Sequence, residues 1–246
     1  MGRRSIQLNR WFETKLGQHV LQAEIQVMHT LLPHHFGYHL VQLGNVGQGC
    51  LISNSRIMHR CIVSQSIPHP QADFSYVQAN LNDLPFAEES IDLIVLPHIL
   101  EFETDPHRIL HQVTRSLIPD GHVMIIGFNP FSMWGIWRKL FAQKYSAPWS
   151  GQFLSSIRIS DWLKLLGLEP IQYHSFFFSL PFHHPQSSHY LPLLTRIGER
   201  CAGRFGAVYI IVAQKRTLPL TLITPRWRLK ETAFAPTGVS STHYKK

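Results

Sequence analysis

Apolar positions along this chain follow two different periods. Between residues 5 and 32 they recur every three to four places, at Trp11, Leu16, Val20, Leu21, Ile25, Met28, Leu31 and Leu32. That spacing is the stripe of an amphipathic helix, and Gly17 within it predicts a break into two helices. Downstream the pattern changes to short apolar runs at residues 38–43, 60–64, 74–77, 91–96, 121–128, 168–178 and 207–214. Runs this short, bounded by turn residues, read as strands, and the unbroken ones as strands covered on both faces. Between them, Leu84-Pro85-Phe86 closes a turn, and Asp105-Pro106 offers an N-cap followed by proline at the first helical position. The strand–loop–helix–strand series over 91–128 predicts a parallel βαβ crossover. Residues 131–144 read as a helical excursion, Ser160-Asp161 as the cap of a short helix ending at Gly167, and 190–201 as another helix. Beyond Lys215 the periodicity fades into Pro, Thr, Ser and charge. Three regions are therefore expected: an N-terminal helical cap over 1–36, an α/β domain over 37–216, and a flexible basic tail over 217–246.

Composition narrows the class. The 246 residues suffice for one α/β domain with its own core. With 44% hydrophobic and 15% charged residues, the chain reads as globular rather than disordered. No apolar run reaches the eighteen or so residues that span a bilayer, and the N-terminus lacks the apolar stretch of a secretory signal. Cys50, Cys61 and Cys201 are odd in number and widely spaced, which argues for a reducing compartment. A cytoplasmic protein is expected. The net charge of +8 falls partly on the termini, at Arg3, Arg4, Arg216, Arg226, Arg228, Lys230, Lys245 and Lys246. Basic tails attract nucleic acid or anionic membrane. The rest of the chain shows no compact basic stripe and no familiar RNA-binding module, so nucleic acid is not the expected partner, although the tail leaves it open. Sixteen histidines raise the question of a metal. The strongest pair, His107 and His111, shares a helix face, but no Cys-x-x-Cys or His-Glu-x-x-His spacing exists and no metal is expected.

The stretch over residues 80–129, which opens with NLNDLPFAEESIDLIVLPHILEF, resembles class I S-adenosylmethionine (SAM)-dependent methyltransferases, specifically those with the methyltransferase type 11 domain. The matching residues are Leu84-Pro85-Phe86, Ser90, Asp92, His98, Leu100-Glu101, Asp105-Pro106, Arg115, Leu117, Pro119 and Gly121. The resemblance implies a Rossmann-like seven-stranded sheet, its last strand antiparallel, with helices on both faces. It also implies SAM as cofactor. Ligands in such sheets bind at the carboxyl ends of the strands, here Pro97-His98 and Asn129-Pro130.

Family roles carry over unevenly. After the first strand the family expects an acid and then Gly-x-Gly-x-Gly, to hold the methionine moiety. This chain has Gln42 at the acid, then Gly44, Asn45, Val46, Gly47, Gln48 and Gly49, with Val46 at the second glycine. The ribose position, usually acidic, falls on Ser64 or Gln65, and the adenine position on Asn80 with Leu81. All three acids are thus replaced by neutral groups. Losing one charge-assisted bond costs about 1–2 kcal/mol, or roughly tenfold in affinity. Pro97 and His98 would floor the pocket.

Methyl transfer chiefly needs positioning and a desolvated pocket. No catalytic residue is assigned by pattern. His98 and Glu101 are candidates for an acid or base, or else hold the loop after the fourth strand. Asp92 is expected to begin that strand and support the Leu-Pro-Phe turn. The string GFNPFSMWG, residues 127–135, resembles a bacterial subgroup whose acceptor is unidentified. In it Asn129 could orient an acceptor. Trp134 and Trp137 could close over it as a lid, or pack as an amphipathic helix. The aromatic residues 176–184 would suit an apolar acceptor, a lipid face or a protein. Cys50, beside the glycine loop, reads as a small buried hydrophobe. The expected function is a SAM-dependent methyltransferase acting on an unidentified small-molecule or protein acceptor. The alternative is a catalytically degenerate relative with a binding or scaffolding role.

Overall fold

The structure, a computed structural model, describes residues 3–65, 73–141, 147–178 and 205–216. The helix expected at 190–201 and the tail at 217–246 lie outside the described residues. The N-terminal stripe folds as α1 (Arg3–Phe12) and α2 (Lys15–Leu31). The break falls at Glu13-Thr14 rather than at Gly17: the Thr14 hydroxyl accepts from the Gly17 N–H at 3.2 Å and caps α2. Gly17 serves a different need. A Cβ there would stand 2.2 Å from the Trp11 carbonyl oxygen, so glycine permits α1 and α2 to meet closely.

Among the described residues seven strands form the sheet: β1 (His39–Leu43), β2 (His59–Ser64), β3 (Ser75–Gln78), β4 (Ile91–Pro97), β5 (Leu117–Phe128), β6 (Leu168–Phe176) and β7 (Val208–Lys215). Their spatial order is β3-β2-β1-β4-β5-β7-β6. The β1–β5 pairings are parallel, while β7 runs antiparallel to both β5 and β6. The expected α/β sheet is therefore present. Central strands such as β4 are buried almost throughout, which explains their unbroken apolar runs, whereas edge strand β6 is largely half-buried or exposed.

Between and after the strands lie α3 (Ile99–Phe102), α4 (Pro106–Ser116), α5 (Met133–Phe141) and α6 (Ser156–Leu165). Helix α4 starts as expected, with the Asp105 carboxylate accepting from the Arg108 N–H at 3.0 Å and Pro106 at the first position. Helix α6 begins earlier than Ser160-Asp161, capped by Ser155. Strand β5 also begins earlier, because Leu117 already pairs with Ile91. The register then shifts between Ile91 and Leu93, across Pro119, which has no N–H to pair, and Asp120, which is left-handed. Asp92 does not support the Leu-Pro-Phe turn. Its carboxylate accepts from the Tyr38 and His39 N–H groups at 3.0 and 2.9 Å and fastens the start of β1.

The sheet separates two cores. On one face Val41, Leu43, Ile94, Leu96, Val123 and Ile125 pack under α4 and α6. On the other, Leu40, Val95, Met124, Ile126 and Phe128 pack under α1, α2 and α5. Among the described residues no helix is long and apolar enough to cross a membrane.

Candidate functional site

Strand order reverses between β1 and β4, whose crossovers leave the sheet in opposite directions. The carboxyl ends of these strands therefore form the crevice where doubly wound sheets take ligands. Most of the candidate residues lie there. Strand β1 ends at Leu43, the Gly44 N–H donates to the Val63 carbonyl at 2.7 Å, and the chain coils through Val46–Ile52, a 3₁₀-like stretch kinked at Gly47, Gln48 and Gly49. Gly44, Gly47, Gln48 and Gly49 all have φ between 48° and 89°. This left-handed run is accessible to glycine and explains why shifted glycines still make a compact loop.

Gln42 governs that loop. It is fully buried, and its amide nitrogen donates to the Gly44 carbonyl at 3.1 Å and the Val46 carbonyl at 3.0 Å. A carboxylate could only repel those oxygens, so the loop's own polarity accounts for the amide. Gln42 Oε1 and Asn45 Oδ1 are buried and have no partner among the described residues. At the other end of the crevice Ser64 and Gln65 are half-buried, and the Gln65 carbonyl accepts from Gln78 Nε2 at 3.0 Å. Asn80 is exposed. Its Oδ1 accepts from the Asn82 N–H at 3.1 Å as a local turn, and Leu81 beside it is buried.

His98 follows β4 in left-handed conformation, φ 56°. It has no exposed surface. Its ring stacks on Phe128 with centroids 4.1 Å apart, Nδ1 lies 3.1 Å from Glu101 Oε2, and Nε2 lies 2.8 Å from Glu24 Oε1. The other Glu101 oxygen accepts from the Phe128 N–H. Burial alone would pull the His98 pKa down, but the Glu24 charge and the hydrogen bonds to both carboxylates carry it up to about 9. The ring is an imidazolium at neutral pH. Burial pushes the Glu101 carboxyl up, against the pull of His98. With every polar atom of His98 and Glu101 engaged inside the protein, both stand as positioning residues: they tie α2, β4 and β5 together.

Asn129 is also built in. Its amide nitrogen donates to the Gly206 carbonyl and its oxygen accepts from the Phe131 N–H, both at 3.0 Å, joining the end of β5 to the start of β7. A cavity of about 420 Å³ opens beside it, lined also by Ser160, Asp161, Lys164, Tyr173 and Phe205. Trp134 is not a lid. It is fully buried against Trp11, Phe128, Trp149 and Phe177, so α5 packs on the sheet through it, while Trp137 is half-buried. Cys50 is exposed rather than buried. His107 lies against Trp162, the ring centroids 4.0 Å apart and the planes tilted by 52°.

Glu24 belongs to this site and was not anticipated from sequence. The signal was present: Val20, Glu24 and Met28 form one fully buried stripe of α2, and a carboxylate on such a stripe calls for a buried partner. Its Oε2 has no partner among the described residues. Glu24 Oε2, Gln42 Oε1 and Asn45 Oδ1 are thus sealed acceptors without donors. An environment of this kind fits a ligand that brings N–H donors and positive charge, as the methionine end of SAM does.

The family model described as "Methyltransferase domain" matches residues 45–125. In fold, the chain is similar to one solved in complex with the Haloferax volcanii Trm112 methyltransferase activator. The TM-score is 0.63 at 17% identity, covering 87% of this chain and 98% of that one. It is likewise similar to a SAM-dependent methyltransferase of Thermotoga maritima, with TM-score 0.60 at 20% identity, covering 84% and 93%. The chain belongs to the class I SAM-dependent methyltransferase family. Within it, the sequence is 32% identical over 212 residues to the uncharacterised protein YafS of Escherichia coli K12, covering 85% of this chain and 80% of YafS.

Proposed function

We propose that the protein transfers a methyl group from SAM to a small-molecule or protein acceptor. The observation that carries this reading is the left-handed glycine loop placed directly after β1, at the reversal of strand order. SAM would supply a methyl group on a sulfonium, already activated for transfer. The chain's own residues bind and orient it. The 44–49 loop, with Gln42 beneath it, holds the methionine moiety. Ser64 and Gln65 reach the ribose through neutral hydrogen bonds, and the Asn80-Leu81 turn borders the adenine. The backbone of Pro97 and His98 floors the pocket, with the buried His98–Glu101 pair fixing that floor. The acceptor would enter beside the end of β5, near Asn129.

Calorimetric titration of the purified protein with S-adenosylhomocysteine and with SAM tests this reading. Low-micromolar binding at unit stoichiometry is expected. It is expected to be abolished by Gly44→Arg, since a side chain there meets both a φ of 80° and the Ile99 methyl 2.4 Å from the Cβ position. Absence of binding to folded wild-type protein at millimolar ligand would overturn the reading and direct attention to a binding or scaffolding role.

A further inference from the structure

We infer that Glu24, on the N-terminal cap helix, supplies the carboxylate that the end of β1 lacks, and that its free oxygen receives the α-ammonium of the cofactor's methionine moiety. The inference rests on the reading of this crevice as the SAM site. It starts from position. One turn before Glu24 on α2, the Leu21 methyl lies 2.9 Å from where a Gly47 Cβ would stand. Glu24 itself reaches His98 at 2.8 Å, and the side chain of the next residue, Ile99, sits against Gly44. Glu24 is therefore held between the glycine loop and the end of β4.

Chemistry points the same way. A carboxylate buried on an apolar stripe is costly unless both oxygens are matched. His98 matches one. The other is sealed without a donor, and in the glycine loop that Leu21 of the same helix packs against, Gln42 Oε1 and Asn45 Oδ1 are likewise buried without donors. A primary ammonium brings N–H donors alone and would match an acceptor of this kind. Two carboxyl groups, Glu24 and Glu101, share the single imidazole of His98, and no lysine or arginine pairs with them among the described residues. A cationic ligand group fills that deficit. The Gln42 amide faces two loop carbonyls, so β1 could not carry an acid without breaking the loop. The negative charge has moved to the facing helix, which makes α2 a wall of the cofactor site.

The experiment compares two probes on the full chain by calorimetry. S-adenosylhomocysteine carries the ammonium; 5′-methylthioadenosine keeps the adenosine thioether without the amino-acid end. Glu24→Gln is expected to weaken S-adenosylhomocysteine about tenfold or more while leaving 5′-methylthioadenosine unchanged, and Glu24→Asp is expected to recover part of the loss. Equal affinity of wild type and Glu24→Gln for S-adenosylhomocysteine overturns the assignment. So does an equal loss of both probes, which marks a merely structural carboxylate. Wild type that binds neither probe overturns the SAM reading itself. A second measurement needs no variant. Amide exchange of α2 in wild-type protein is expected to slow with S-adenosylhomocysteine and not with 5′-methylthioadenosine. Equal slowing by both removes α2 from the ammonium site.

Discussion

Under α4 and α6 the central strands present hydrocarbon alone: Val41, Leu43, Ile94, Leu96, Val123 and Ile125. The same strands, turned over, present Leu40, Val95 and Met124, but toward their carboxyl ends they add Gln42, and the elements above them add Glu24 and His98. One sheet thus carries a core governed by packing and a core in which buried charge must be matched atom by atom. Burying an ion costs several kcal/mol unless its partners are in place, so folding alone gives no reason to set charge among the apolar side chains of α2. The polar core gathers at the end of the sheet where ligands bind, and it departs from good local design there and not elsewhere.

The sharpest way to break this comparison is to remove one member of the polar core. Glu101→Leu takes away the acceptor of the Phe128 N–H and the partner of His98 Nδ1, and is expected to cost about 3–5 kcal/mol in chemical denaturation. A loss below about 1 kcal/mol would show that this core tolerates hydrocarbon as the other does.

Proton linkage gives an intermediate effect. The folded His98 holds its proton up to about pH 9, above its ordinary 6.5. Its contribution is therefore full below about pH 6.5 and is lost as pH rises toward 9, on the order of 3 kcal/mol. His35 has the opposite sign. Burial, reinforced by His122 and His34, lowers it to about 4, so its contribution is present above pH 6.5 and lost as pH falls toward 4. Melting temperature is expected to peak near pH 6.5, and Glu24→Gln is expected to flatten the alkaline side alone. A wild-type profile level from pH 6.5 to 9 would remove the imidazolium from the cluster. The smallest effect belongs to the apolar face: Ile94→Val is expected to cost about 0.5–1.5 kcal/mol by thermal melt and leave S-adenosylhomocysteine affinity unchanged.

Much of the scaffold is legible in sequence because its signals are local. The apolar runs mark all seven strands to within a few residues, and Asp105-Pro106 marks the start of α4. The errors arise where a distant element decides. Gly17 reads as a helix breaker, yet it is required by α1 packing beside it. Asp92 reads as part of its own turn, yet it fastens a strand 53 residues away in sequence. Trp134 reads equally as a lid or as a packing residue, because nothing local shows that Trp11 and Trp149 will enclose it. The site divides in the same way. The glycine loop and the neutral Gln42 are visible as a motif with a missing acid. The Glu24–His98 pair joins residues 74 apart, and only the fold brings them together.

Strand β7 lies between β5 and β6, and this has a consequence for how the chain is made. A growing chain finishes β5 at residue 128 and β6 at residue 176, but the two have no hydrogen bonds to share until β7 arrives at residue 208. Throughout that interval of synthesis the outer edge of β5 is bare, a row of unpaired amides and carbonyls flanked by Ile125, Ile126 and Phe128. Bare edges of this kind invite pairing with other chains. Among the described strands the last to leave the ribosome is thus the one that both shields the nascent sheet and admits β6 to it, which makes a chain ended before β7 a hazard to its neighbours rather than a smaller version of the protein.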